Sequence, residues 1–141
     1  CMPHLKNSAN PHILTLSPPI NLNPKWFKQH TAYTISKYAM SMVTLGLAAE
    51  LAEFGIAANS LWPRTTIATA AVETFFAEAV KASRTADIMA DAAYAILTKP
   101  SHSCTGNFFI DEAVLRAEGV IDFGRYAVTP GGPLMTDLFL D

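Results

Sequence analysis

The sequence predicts an α/β fold in which helices cover a small parallel sheet. Three short apolar runs, at residues 12–17, 56–62 and 107–111, are bounded by proline or glycine, as buried strands are. The stretches between them carry apolar residues at steps of three and four, which is the helical period. The order strand, helix, strand, helices, strand is that of βαβ units, whose strands lie parallel beneath their connecting helices.

The first strand is followed by a loop and a long helix. Residues 12–17 end at Ser17 because Pro18 and Pro19 follow, and proline has no N–H to donate to a sheet. Residues 18–30 form a loop rich in proline and asparagine. The next segment, residues 31–54, has helical spacing, and Gly55 supplies the C-terminal cap. The periodic apolar positions of this helix are Ala32, Ile35, Ala39, Met42, Val43, Gly46, Leu47 and Leu51.

The second half of the sequence contains two more helices and the third strand. The second strand, residues 56–62, closes at Pro63. Thr66 is the predicted N-cap of a helix through residue 82, and Thr85 that of a helix over residues 86–97. The third strand covers residues 107–111. We therefore expect one α/β domain over residues 1–118 and an extended C-terminal arm, residues 119–141, lying on a surface.

Composition excludes several classes of function. Half of the 141 residues are apolar and 16% are charged, which indicates a folded core. The net charge of −2 provides no basic surface for nucleic acid or anionic membranes. No apolar run approaches the roughly 20 residues of a spanning helix. The two cysteines and four histidines lack the spacing of a disulfide framework or a zinc site, so no metal and a reduced, cytoplasmic protein are expected.

The opening residues, CMPHLKNSAN, have the pattern of the last turns of a helix. A native chain rarely begins inside such an element, and three strands alone leave an unpaired sheet edge. We therefore expect the sequence to be a fragment of a longer domain that tends to self-associate.

Tyr33 and Lys37 stand four residues apart on the predicted long helix, which places them on one face, one turn apart. This spacing alone also fits a solvated pair without a function. Ser17 ends the preceding strand, at the edge where ligands bind in parallel sheets. The following strand ends in NSLWP, from Asn59 to Pro63. The order of these features favours a functional interpretation of Tyr33 and Lys37.

In this order the features resemble the short-chain dehydrogenase/reductase family, in which a strand-end serine, a helical YxxxK and a strand ending in N-x-x-x-P-G follow one another. The resemblance covers nearly the whole chain and implies the C-terminal half of a Rossmann-type doubly wound parallel sheet. The segments LSPPINLNPKWFKQHTAYTISKYAMSM and NSLWPRTTIATAAV and the ending TDLFLD are similar to the hydroxysteroid-dehydrogenase-like branch, which includes bacterial citronellol-dehydrogenase-like proteins. The implied activity is NAD(P)-dependent interconversion of an alcohol and a ketone or aldehyde.

The resemblance implies catalytic roles for Tyr33, Lys37 and Ser17. Tyr33 passes the proton, Ser17 holds the substrate oxygen, and Lys37 binds the nicotinamide ribose while its charge acts on Tyr33. A free tyrosine has a pKa of about 10, so a general base at neutral pH needs roughly 4 kcal/mol in favour of the phenolate. One cation about 4 Å away, at an effective dielectric near 20, supplies energy of that order.

The resemblance also implies that the loop after the second strand lines the nicotinamide. The candidate cofactor contacts there, besides Tyr33 and Lys37, are Pro63, Arg64, Thr66, Ile67 and Thr69. For Ile67 and Thr69, ordinary packing at a helix N-terminus explains the pattern equally well. Arg64 departs from the family's glycine. NADP or NAD is the expected cofactor, with NADP slightly favoured by the resemblance. The family's glycine-rich turn, T-G-x-x-x-G-x-G, occurs nowhere in the 141 residues, so the chain by itself is expected to be inactive.

A non-catalytic alternative remains open, in which the chain is a structural or interaction fragment of the same fold. In many members of the family the YxxxK helix packs against a partner subunit, and the small residues Ala39, Gly46 and Ala49 allow close approach. A homo-oligomer and a small apolar alcohol or carbonyl substrate are the expected partners. A hydrolase is not indicated, because no G-x-S-x-G sequence is present. Asp111 and Glu112 fit loop capping better than an acid–base pair.

Overall fold

The computed structural model describes all 141 residues and confirms the predicted α/β class. Its elements are, in chain order, α1 (Met2–Lys6), β1 (His12–Thr15), α2 (Thr31–Glu50), β2 (Ala57–Trp62), α3 (Ala70–Phe75), α4 (Asp87–Leu97), β3 (Phe108–Ile110) and α5 (Asp111–Ala117). The chain divides into two compact units, Cys1–Trp62 with Ile96–Phe109 and Pro63–Ala95 with Ile110–Asp141. None of its helices combines the length and apolar character needed to cross a bilayer.

The first unit is built on a three-stranded sheet in the order β1-β2-β3. β1 and β2 pair in parallel, with His12 opposite Ala57. Next to β3, the Gly106 N–H donates to the Ala58 carbonyl at 2.9 Å. All six residues of β2 are buried, as expected for the central strand of a parallel sheet.

The strands and the long helix of this unit are each slightly shorter than predicted, β2 by one residue and β3 by one residue at each end. β1 ends two residues early, because the Ser17 N–H turns back to the Thr15 carbonyl at 3.1 Å and the chain leaves the sheet before the prolines. The long helix is an α-helix only to Glu50, and a 3-10 turn, Ala52–Phe54, completes it. Gly55 ends this turn with a φ of 66°, the left-handed conformation predicted for the cap.

Helix α2 buries hydroxyl groups and exposes apolar side chains, the reverse of an ordinary surface helix. The exposed fraction reaches 57% at Ile35 and 60% at Met42 and Val43, three positions whose spacing predicts the helix. The hydroxyl groups on the buried side donate to backbone carbonyls, which makes their burial tolerable. The buried residues of α2 are Thr34, Tyr38, Ser41, Thr44 and Ala48.

The second unit contains α3, most of α4, and α5. The predicted helix cap at Thr66 is wrong, because α3 begins after Thr69, whose Oγ1 accepts the Val72 N–H at 3.4 Å. The backbone of Thr66 is used elsewhere, since its N–H donates to Met135 at 3.0 Å and its carbonyl accepts from Arg84 at 2.9 Å.

Two further features of the second unit depart from the sequence-based expectation. The helix predicted through residue 82 is divided into α3 and a 3-10 helix, Ala77–Ala82. The short helix α5, directly after β3, is not predicted. Its first turn carries Asp111 and Glu112, whose negative charges suit the positive end of a helix dipole.

The C-terminal residues run beside residues 64–66 of the same unit. Thr65 and Thr136 form an antiparallel bridge, and the Asp137 N–H donates to the Arg64 carbonyl at 3.2 Å. Phe139 is only 2% exposed although its φ is 72°, a conformation that costs a residue other than glycine about 1 kcal/mol or more. The buried ring therefore anchors this segment.

Candidate functional site

Ser17 lies two residues past the end of β1 and has no exposed surface. Its Oγ has no hydrogen-bond partner. A buried hydroxyl without a partner costs about 1–3 kcal/mol, so such groups are rare in native structures. Ser17 therefore keeps a hydroxyl group whose capacity to hydrogen-bond is unused in the structure.

Lys37 joins the ends of two strands at this point. Its Nζ donates to the carbonyl of Leu16, the residue before Ser17, at 3.3 Å. The same Nζ lies over the ring of Trp62, the last residue of β2, at 5.4 Å from the ring centroid. The ammonium of Lys37, a residue of intermediate exposure, is thus held at the carboxyl ends of β1 and β2, the edge at which parallel sheets bind ligands.

Tyr33 lies one turn before Lys37 on α2, and its side chain is 44% exposed. The predicted i, i+4 relation of the two residues is confirmed because both lie within one uninterrupted helix. Tyr33 therefore offers an accessible phenol close in sequence and in helical position to a cation.

Hydroxyl groups on the buried side of α2 fix the helix against the loop that follows Ser17. Ser41 Oγ donates to the Pro18 carbonyl at 2.6 Å, and the Tyr38 hydroxyl donates to the Asn21 carbonyl at 2.6 Å. Burial raises the pKa of Tyr38, so this second phenol remains a neutral donor. These bonds tie the helix that carries Tyr33 and Lys37 to the chain around Ser17.

The predicted cofactor loop lies in the second unit, and several of its side chains already have structural partners. Pro63 and Ile67 are buried, whereas Arg64 is exposed. Thr66 Oγ1 and Ser83 Oγ share a hydrogen bond of 2.8 Å. Thr69 is the N-cap of α3. Their contact with a cofactor remains a prediction.

Asp111 holds the backbone of this loop. One oxygen of its fully buried carboxyl group, Oδ1, accepts the N–H of Arg64 at 2.8 Å and that of Glu112 at 2.6 Å, while Oδ2 has no partner. Burial raises the pKa of Asp111, against the opposing effects of these two hydrogen bonds and of the Arg84 charge, with a further small rise from Glu112. The loop-capping interpretation of Asp111 is thus confirmed.

Glu112 instead belongs to an ion-pair cluster. It accepts from Arg84 at 2.7 Å and from Arg116 at 2.7 Å. Partial burial acts to raise the pKa of Glu112, but the hydrogen bonds and charges of the two guanidinium groups together outweigh it and keep this pKa below its ordinary value. The arrangement is a paired structural cluster within the second unit.

A surface depression of about 340 Å³ in the second unit contains none of the predicted site residues. Its charged groups already bind one another, since Asp91 accepts from the Tyr126 hydroxyl at 2.6 Å and from Arg125 at 2.9 Å. No group of three or more His, Cys, Asp or Glu side chains in the structure is arranged to hold a metal ion.

Comparison with known proteins decides the family. No protein-family model matches the chain. Two solved structures match all of it at 51% identity: a Xanthomonas campestris protein assigned as a dehydrogenase, with a TM-score of 0.94, and a short chain dehydrogenase from Mycobacterium thermoresistibile, with a TM-score of 0.90. The chain belongs to the short-chain dehydrogenase/reductase family. Its three-stranded parallel sheet and helices correspond to the second half of the Rossmann-type fold of this family, as the sequence predicts.

The similar curated proteins come from vertebrates. Hydroxysteroid dehydrogenase-like protein 2 is 58% identical over 142 aligned residues in Danio rerio and 54% identical in Homo sapiens. Each alignment covers the whole chain but only 34% of the relative. The chain covers 52% and 50% of the two solved short-chain dehydrogenase/reductase structures. It therefore spans about a third of the length of the curated relatives and about half that of the solved ones.

The structure brings some predicted site residues together and adds one that sequence reasoning left without a role. Ser17 and Lys37 meet at the end of β1 through Leu16, and Tyr33 shares their helix α2. Trp62 stands within the NSLWP motif but was not predicted to contact any of them. Its position directly before Pro63, at the end of a strand parallel to β1, is the only signal in the sequence that indicates this contact.

Proposed function

We propose that the chain carries the acid–base part of an NAD(P)-dependent site that interconverts an alcohol and a ketone or aldehyde. Family membership supports oxidoreductase chemistry with a nicotinamide cofactor in general. The observation that carries the specific proposal is the buried, unpartnered hydroxyl of Ser17, one residue from the carbonyl that binds Lys37.

Ser17 and Tyr33 act on the substrate oxygen in this proposal. The Ser17 hydroxyl donates a hydrogen bond to it and thereby gains the partner that it lacks. The Tyr33 hydroxyl gives its proton to the oxygen during reduction and takes the proton back during oxidation. A bound nicotinamide supplies or accepts the hydride.

Lys37 acts through its charge and its remaining donors. An ammonium has three N–H groups, and the Leu16 carbonyl accepts one of them. The others fit the hydroxyl groups of a nicotinamide ribose. The positive charge of this ammonium, one helical turn from Tyr33, favours loss of the proton from the Tyr33 hydroxyl.

The proposal also covers the loop after β2, the cofactor, the substrate and the cellular environment of the protein. The loop residues Pro63, Arg64, Thr66, Ile67 and Thr69 contact the nicotinamide, NADP is slightly favoured over NAD, and the substrate is a small apolar alcohol or carbonyl compound. A reduced, cytoplasmic setting is supported by the two cysteines, which are both free thiols.

Ligand-induced stabilisation tests the proposal in the natural protein that carries this sequence. Each of NAD, NADH, NADP and NADPH is added and the unfolding transition is followed. At 100 times Kd, a bound cofactor adds about 2.7 kcal/mol to the free energy of unfolding. The absence of a shift with all four cofactors contradicts the oxidoreductase proposal.

A second candidate function is a structural or interaction role for the same fold. It is favoured by the apolar side chains that α2 exposes, among them Ile35, Met42 and Val43. A second copy of the chain that packs on this face gives the homo-oligomer we propose. Sedimentation of the natural protein measures self-association, and an oligomer that binds no nicotinamide cofactor favours this second function over the first.

A further inference from the structure

The indole of Trp62 is placed to act on Lys37. Trp62 is 6% exposed and ends β2, and the Lys37 Nζ lies over its ring at 5.4 Å from the centroid. A cation within about 6 Å of a ring centroid is attracted by the negative face of the ring, and tryptophan gives the strongest such interaction.

The other contact of Lys37 is weak. The bond from Nζ to the Leu16 carbonyl is 3.3 Å long, beyond the usual range for an N–H donor. Lys37 has no ion pair with a carboxylate anywhere in the chain. The indole face is therefore a principal feature that holds the ammonium at the strand ends.

An indole partner affects the charge and the N–H groups of Lys37 differently from a carboxylate partner. A carboxylate would cancel the charge of Lys37 and occupy its N–H groups. The ring face attracts the cation without adding an opposite charge, and it leaves the remaining N–H groups of the ammonium for a ligand. The arrangement keeps a full positive charge and free donors one helical turn from Tyr33.

We propose that Trp62 is a positioning residue that holds the Lys37 ammonium at the ends of β1 and β2 and so maintains its charge near Tyr33. The inference rests on the proposed function, because it assigns Trp62 a role through Lys37. It makes the residue before Pro63 a determinant of how readily Tyr33 exchanges its proton.

The chain offers a matched control. The exposed Lys25 lies over the ring of the other tryptophan, the half-buried Trp26, at 4.6 Å, in the 3-10 helix Pro24–Trp26 before α2. Trp26→Leu removes a lysine–tryptophan contact of the same kind without touching Lys37. Trp62→Phe retains an aromatic face, and Trp62→Leu removes it while keeping an apolar side chain.

The first measurement needs no cofactor. In the natural protein with ¹³C-labelled lysine, the ring current of Trp62 is expected to shift the ε-methylene protons of Lys37 upfield, with the signal assigned from its loss in Lys37→Met. Trp62→Leu abolishes the shift, Trp62→Phe reduces it, and Trp26→Leu leaves it unchanged. An unshifted Lys37 signal in the folded wild type overturns the inference, even if a Trp62 variant fails to fold.

The second measurement is the pH–rate profile of alcohol oxidation. Trp62→Leu is expected to move the acidic limb to higher pH by about half a unit or more, with Trp62→Phe in between and Trp26→Leu at the wild-type position. If Lys37→Met moves the limb and Trp62→Leu does not, the role of Trp62 is wrong while the proposed function stands. If Lys37→Met also leaves the limb in place, the electrostatic role of Lys37 in the proposed function fails, and that of Trp62 with it.

Discussion

Ser17→Ala is expected to stabilise the protein and at the same time to impair its chemistry. Ser17 is fully buried and its Oγ has no partner, so the folded state keeps a hydroxyl that was hydrogen-bonded to water in the unfolded chain. Removing that group relieves a cost of about 1–3 kcal/mol, offset in part by the lost contacts of one oxygen atom. We expect the free energy of unfolding to rise by up to about 1 kcal/mol.

Two other buried serines are matched controls. Ser41 is equally buried, but its Oγ donates to the Pro18 carbonyl at 2.6 Å, so Ser41→Ala is expected to lower the free energy of unfolding by about 1 kcal/mol. Ser60, in β2, is buried and its Oγ has no partner, but it has no proposed catalytic role. Ser60→Ala is therefore expected to stabilise the protein without loss of turnover.

Urea unfolding and alcohol oxidation, measured on the same three variants of the natural protein, separate these effects. Ser17→Ala and Ser41→Ala are expected to differ in free energy of unfolding by about 1–2 kcal/mol, a factor of roughly 5–30 in the folded-to-unfolded ratio. Turnover in Ser17→Ala is expected to fall by about 100-fold or more, as when a donor to a reacting oxygen is removed. If Ser17→Ala destabilises the protein as much as Ser41→Ala does, and turnover is retained, the assignment of Ser17 as a substrate anchor is refuted.

Three further perturbations test other parts of the account. Lys37→Met is expected to weaken NAD(P) binding and to raise the pH needed for oxidation, because it removes a donor and the charge that acts on Tyr33; an unchanged pH–rate profile counts against the electrostatic role. Asp111→Asn is expected to change the pH dependence of stability: burial raises the pKa of Asp111 above its ordinary 3.8, so the wild type loses stability relative to the variant as pH rises from about 4 through the raised value. Urea unfolding of the wild type and the variant at several pH values gives the free energy of unfolding of each. If the two free energies change with pH in parallel, the predicted effect of Asp111 is absent. Phe139→Ala is expected to cost about 3–5 kcal/mol and to speed hydrogen exchange at the Thr66 amide, whereas unchanged exchange would show that Phe139 does not anchor the C-terminal segment.

The order of elements was predictable because it depends on local patterns. β2 follows from a short, mostly apolar run between Gly55 and Pro63, and α2 follows from apolar positions at helical spacing. Which side of α2 is buried was not predictable in this way. That side is set by hydroxyl groups such as that of Ser41, which bind loop carbonyls distant in sequence, and apolar periodicity contains no information about those partners.

The helix cap at Thr69 shows the same limit. Thr66 and Thr69 are equally good caps by residue type, and the choice between them depends on long-range backbone bonds. Thr66 pairs with Met135 and Arg84, so the helix starts later. Contacts that span many residues decide the boundary, and a local pattern does not encode them.

Some features of the candidate site were also predictable from the sequence, and others were not. The relation of Tyr33 to Lys37 was predictable because four residues make one turn of a helix. The contact of Lys37 with Trp62 joins a helix to a strand end 25 positions later in the sequence and needed the structure. The buried state of Ser17 also needed it, since sequence alone does not show whether a strand-end hydroxyl finds a partner.

Tyr33→Phe in the natural protein tests the central claim most directly, with Tyr94→Phe as the control because Tyr94 is 74% exposed and lies outside the proposed site. The substitution removes only the hydroxyl group and keeps the ring, so cofactor affinity is expected to stay near that of the wild type. Turnover of an alcohol substrate is expected to fall by about 100-fold to 10,000-fold, the contribution of a positioned acid–base group, while Tyr94→Phe retains wild-type turnover. Wild-type turnover in Tyr33→Phe would contradict the account, because no hydroxyl would then remain at residue 33 to exchange the proton.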